Sequence, residues 1–202
     1  MTLNKTEVRE RALEVAGQLM AAEGGEGLKA RAVAKEVGVS VGTIYNIFGD
    51  LDDLQRAVNL KLLDALGAAS ETVMTEMRQA GVTDVRALLI GLARTYFDFV
   101  RANTRHWQAL LALNARIPLS DQPDWYADRF DLLFGIIGDV LRATPLGGDD
   151  ERRNVAAHAL WASVHGIVTA GYARRGRLDG ETEIWRQVDM LISAFLKGLD
   201  RA

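Results

Sequence analysis

Residues 28–48 read LKARAVAKEVGVSVGTIYNIF, and this stretch decides the fold. Ala30 to Val37 and Val41 to Ile47 each carry the apolar spacing of a short helix. Val33 and Val37 share one face of the first helix, Ile44 and Phe48 share a face of the second, and Val39 fills the gap between them. Gly38 supplies the left-handed backbone position that a sharp turn needs. Ser40 can cap the second helix by accepting from a backbone N–H two or three residues on. Two such helices about a glycine turn make a helix-turn-helix, whose second helix enters the DNA major groove. A helical hairpin with no DNA role is the alternative.

The order of residues narrows the reading. Ala34-Lys35-Glu36-Val37-Gly38-Val39-Ser40, then Gly42-Thr43-Ile44-Tyr45, then Phe48 and Leu54, resembles the DNA-binding domain of the TetR family of bacterial regulators over residues 6–60. The resemblance implies an all-α chain of about nine helices in two parts. Residues 1–60 would form the DNA-binding domain, and residues 61–202 a helical domain for ligand binding and dimerisation. It also implies a homodimer on a palindromic double-stranded operator and a small-molecule effector. Trp161, His165 and Gly166 fit the Trp-x-x-x-His-Gly signature, so the C-terminal part resembles the WHG type of that family.

The remaining helices follow from apolar spacing and breakers. A first helix is expected from Thr6 to Glu23, with Val8, Ala12, Val15 and Leu19 as its buried stripe, stopped by the run Gly24-Gly25-Glu26-Gly27. Asp50 should cap a fourth helix, with Asp53 completing an acidic capping box. Its stripe of Leu54, Val58, Leu62, Ala65, Ala69, Val73 and Met77 carries it to Gln79, a rod of about 40 Å. Thr83 and Thr104 should cap helices ending near Ala102 and Arg116. Further helices are expected over 124–143, 149–173 and 181–199.

Composition excludes several classes. The chain has 202 residues, a net charge of −3 and no cysteine, so neither disulfides nor thiolate metal sites are available. No N-terminal signal core and no run of about eighteen apolar residues is present, so no membrane partner and a cytoplasmic location are expected. Residues 1–60 hold seven Lys/Arg against nine Asp/Glu, a net of −2, so the DNA reading rests on the motif and not on charge. There is no Ser-His-Asp spacing on helices that would meet, no phosphate loop and no metal cluster. No enzyme activity, metal or cofactor is expected. His158 and His165 lie seven residues apart and lack a third ligand.

The candidate DNA contacts are Lys29, Arg31, Ser40, Val41, Gly42, Thr43, Tyr45 and Asn46. Lys29 and Arg31 suit phosphates. Thr43 can touch a phosphate, a base edge or a thymine methyl, and Asn46 can read adenine. In the resemblance, Tyr45 is the tyrosine that bonds a backbone phosphate. Many relatives carry cations where this chain has Val41, Ile47 and Leu51, which implies weaker, less salt-dependent binding. The C-terminal aromatics suggest an apolar ligand cavity walled by Phe99, Trp107, Leu110, Phe134, Trp161 and His165. The small-residue stripe Ala159, Ser163, Gly166 and Ala170, with Val188, Leu191 and Phe195, is the expected dimer face. Arg174, Arg175 and Arg177 form a basic cluster to which no function is attached. The leading function is a repressor released from its operator by a small apolar or aromatic ligand. The alternative is a sensor or scaffold of the same fold with weak or lost DNA binding.

Overall fold

The computed structural model describes residues 4–117, 119–173 and 180–199. The basic cluster at 174–177 therefore lies outside the described residues, and so does Pro118 of the loop before residue 124. Among the described residues there are nine α-helices and no strand. They are α1 (Lys5–Glu23), α2 (Ala30–Val37), α3 (Val41–Phe48), α4 (Leu51–Gln79), α5 (Val85–Ala102), α6 (Thr104–Arg116), α7 (Asp124–Leu141), α8 (Asp150–Ala173) and α9 (Glu181–Leu199).

The helix ends show why the chain divides as it does. Asn4 and Glu7 form a full capping box at α1, each side chain taking the other's backbone N–H. Asp50 Oδ1 accepts from the Asp53 N–H at 2.7 Å and so caps α4 as expected. The box is not completed, because the Asp53 carboxylate pairs with Arg56. Of two further expected caps, one is displaced by one residue and the other is not made. Asp84, not Thr83, accepts from the Ala87 N–H and opens α5. Asn103 precedes α6, while the Thr104 hydroxyl turns back to the carbonyls of Val100 and Arg101. α7 stops at Leu141, where the N–H groups of Arg142, Ala143 and Thr144 switch to bonds three residues back.

The chain forms two compact units. The first comprises Met1–Ala65 and Val100–Arg129, and the second Leu66–Phe99 and Phe130–Ala202. Packing therefore follows other lines than the division expected at residue 60, because α6 packs with the N-terminal helices. In the first unit, Val8, Ala12, Ala16 and Met20 of α1 meet Val33 of α2, Ile44 of α3 and Leu54 of α4 in one core. Burying side chains of this size contributes about 1.5–3 kcal/mol each, which sets the angle of α3 against α1. Buried polar links add specificity. Arg56 donates to Gln122 at 2.6 Å, and Tyr126 bridges Asn59 and Asn114 at 3.3 and 3.1 Å.

The second unit is assembled on steps of four residues. Along the C-terminal part of α4 the buried positions are Leu62 and Leu63 in the first unit and Leu66, Ser70 and Met74 in the second, while Ala65 is exposed and Ala69, Val73 and Met77 are half-buried. The expected stripe steps by three from Leu62 to Ala65, whereas the buried one steps by four to Leu66, about 100° further round the helix, and both then go on in fours one position apart. Close approach is explicit at Gly171, where a Cβ would stand 2.5 Å from Ile184 Cδ1, so the Ile184 side chain of α9 packs directly on the bare glycine of α8.

Candidate functional site

The first site is α3 and its approach. Gly38 has φ +81°, and its N–H reaches the Ala34 and Lys35 carbonyls, so α2 ends in a left-handed turn. Ser40 Oγ then accepts from the Thr43 N–H at 3.1 Å and meets Thr43 Oγ1 at 2.9 Å. With Ile44 and Phe48 buried, the opposite face of α3 is turned outward. Ser40, Gly42, Tyr45 and Asn46 are exposed there and Thr43 is half-buried. Val41 is half-buried and packs on the core, as does Ile47. Lys29 and Arg31 at the start of α2 are exposed, and among the described residues neither is ion-paired. Arg9 of α1 stacks over the Phe48 ring at 5.5 Å, so a third cation sits beside α3. Sequence reasoning missed it, since nothing in the spacing of α1 points to α3.

The second site lies in the second unit. A hollow of about 60 Å³ is walled by Leu89, Leu92, Ala93 and Tyr96 of α5, Ile137 of α7, Leu160, Trp161 and Val164 of α8, and Ile192 of α9. Beside it runs a chain of rings. Tyr96 Oη and His165 Nδ1 are 2.5 Å apart. His165 stacks flat on Trp161 at 4.8 Å and 3°, and Trp161 meets the edge of Phe134 at 5.3 Å. Burial holds His165 below the usual imidazole range, so it is neutral at pH 7.

Of the six residues expected in the cavity wall, Trp161 lines the hollow, and Phe134 and His165 back it. Phe99, Trp107 and Leu110 do not line it. Trp107 and Leu110 are buried in the first unit on α6. From sequence alone their apolar stripe looks the same whichever unit receives it. The missed wall residues on α5, Leu89, Leu92 and Tyr96, do sit at helical spacing and are legible as a face. Among the described residues no group of three or more His, Asp or Glu is placed to hold a metal ion.

On the last two helices, Ala159, Ser163, Gly166 and Ala170 of α8 are all exposed in a row. A Cβ on Gly166 would meet nothing within 4 Å. Leu191 and Phe195 of α9 are half-buried, but Val188 is fully buried inside its own protomer and lies beneath any surface a second copy could touch. Val155 and Met190, 66% and 68% exposed, are large apolar side chains left on the outside of these helices.

Residues 12–58 match the family model described as bacterial regulatory proteins of the tetR family. Residues 89–195, which include Trp161 to Gly166, match the tetracyclin repressor-like C-terminal domain. An uncharacterized HTH-type transcriptional regulator of Mycobacterium tuberculosis is 27% identical over 163 residues, 79% of this chain and 68% of that protein. Among solved structures, a protein of unknown function from Rhodococcus superposes with a TM-score of 0.71 at 23% identity over 95% of each chain. A TetR-family regulator from Mesorhizobium loti superposes at 0.68 and 19% identity over 98% of each. At these identities the structural likeness concerns the fold. Among the described residues no helix is long and apolar enough to cross a membrane.

Proposed function

The chain belongs to the TetR family of bacterial transcriptional regulators, and from that premise we propose that it is a repressor released from its operator by a small apolar or aromatic ligand. Residues 1–60 read DNA, and residues 61–202 take the ligand and make the homodimer through α8 and α9. The observation that carries the reading is the outward face of α3. Ile44 and Phe48 anchor the helix in the core, which leaves Ser40, Gly42, Thr43, Tyr45 and Asn46 for the groove. Lys29 and Arg31 serve as phosphate contacts. In a dimer the two α3 helices meet successive major grooves of a palindrome about 34–36 Å apart. Such an operator lies in the cytoplasm.

The mechanism is a population shift. A ligand that favours dimers with another spacing of the reading helices lowers operator affinity, by no more than its own difference in affinity for the two states. Operator and ligand therefore oppose each other reciprocally.

One observation favours the sensor with weakened DNA binding. α3 contains no Lys, Arg or His, and Val41 and Ile47 are turned to the core. Anisotropy of labelled DNA from upstream of the protein's own gene, against scrambled DNA at two salt concentrations, separates the two readings. A specific repressor binds that fragment at least about a hundredfold more tightly than scrambled DNA, with a log–log salt slope below about six. A sensor with lost DNA binding treats both fragments alike, as does a repressor whose operator lies elsewhere, and a genome-wide selection of bound fragments decides between those two.

A further inference from the structure

Two apolar hollows lie side by side in the second unit. The first, of about 60 Å³, is bounded on its far side by Leu89, Ala93, Leu160, Val164 and Ile192. The second, of about 50 Å³, is bounded by Leu66, Ser70, Leu133 and Ile136. Leu92, Tyr96, Ile137 and Trp161 line both, so these four side chains are the partition. Each hollow alone has less than half of the roughly 150 Å³ that holds a benzene molecule in an apolar cavity. Joined, with the volume a displaced partition adds, they reach that scale. No lining residue carries a charge. The Tyr96 hydroxyl in the partition is already engaged with His165 Nδ1, and His165 is stacked on Trp161, so the two rings of the partition are tied to each other through His165.

We propose that Tyr96 and Trp161 form a movable partition, which an uncharged, single-ring apolar ligand displaces to occupy both hollows, and that the Tyr96–His165 hydrogen bond is the latch opposing entry. This rests on the reading of the second unit as the ligand-binding part. It fixes the class of ligand, because a carboxylate or ammonium group would lose its water and find no opposite charge in the wall. It also fixes the sign of a substitution. If the Tyr96 hydroxyl anchored the ligand, removing it would weaken binding. As a latch that must break, its removal strengthens binding.

The test is calorimetric titration of the full-length protein with toluene, benzoate and benzylamine, probes of similar shape and different charge. Wild type is expected to bind one toluene per chain, and each charged probe at least a hundredfold more weakly. Tyr96→Phe is expected to bind toluene about fivefold more tightly, the net worth of one hydrogen bond. Ala93→Leu, which fills the first hollow, should weaken toluene at least tenfold. Benzoate binding within tenfold of toluene, or weaker toluene binding by Tyr96→Phe, would overturn the inference and leave the ligand-binding reading standing. Failure of all three probes to bind up to their solubility would overturn the inference, while the ligand-binding reading, which allows larger apolar ligands, would stand. The comparison of toluene with benzoate in wild type decides the ligand class even where a variant does not fold.

Discussion

Protonation of His106 should make the protein lose stability between pH 7 and pH 5. The side chain is 8% exposed on α6, and among the described residues its Nε2 is buried with no hydrogen-bond partner. Burial pushes its pKa down from 6.5 to about 4. The folded protein therefore refuses a proton that the unfolded chain accepts. Stability rises with pH wherever the unfolded state binds more protons, so this contribution is intact above about 6.5 and is lost as pH falls toward 4. Between pH 7 and pH 5 the linkage relation gives a loss of about 2 kcal/mol for a shift of this size. Few carboxylates change charge there. Glu10, Asp52 and Asp150 are held below their ordinary values by Lys61, Arg116 and Arg153, so they contribute only at lower pH. The assay is urea unfolding at pH 7, 6 and 5 and one protein concentration, for wild type and His106→Leu. The variant should keep only the smaller dependence due to His165, which burial shifts in the same direction. Equal pH slopes in the two proteins would show that the slope comes from groups other than His106.

Three further outcomes are expected. Gly171→Ala places a methyl 2.5 Å from Ile184 Cδ1 and should destabilise the fold by about 1–3 kcal/mol, read as a lower urea midpoint at unchanged slope. Tyr126→Phe removes the acceptor of the buried Asn59 amide and the donor to Asn114, for a loss of about 1–3 kcal/mol in the same assay. Lys29→Gln and Arg31→Gln should each lower the log–log salt slope of operator binding by about one for every phosphate no longer neutralised. The preferred sequence should change little, as measured by anisotropy across a salt series.

Local signals are legible where local chemistry decides. α2 and α9 run over the residues that spacing and glycine predict, and the Gly38 turn and Ser40 cap form as expected. The caps near Thr83 and Thr104 are not legible to the residue. Asp84 stands next to Thr83 and takes the cap of α5, while α6 opens without a side-chain cap and the Thr104 hydroxyl bonds the carbonyls of Val100 and Arg101. The α4 stripe can be read through Leu62 but not beyond it. Ala65, Ala69 and Val73 are as apolar as a core position requires, and only packing selects Leu66, Ser70 and Met74 instead. The same ambiguity draws Trp107 and Leu110 into the expected ligand cavity. An apolar face declares that it is buried but not which partner buries it. Val188 illustrates the converse on α9, where the broad apolar face covers the protomer's own core before it can offer anything to a second copy.

We propose that the outward face of α3 reads a palindrome, and selecting genomic DNA fragments bound by the purified full-length protein, beside a Tyr45→Ala/Asn46→Ala variant whose circular dichroism matches wild type, puts this to the test. Wild type should enrich fragments sharing one palindromic site, with half-sites about one helical turn or a multiple apart, and the variant should lose this enrichment. Recovery by wild type of no more than a shuffled pool yields, or equal enrichment by the variant, would contradict it.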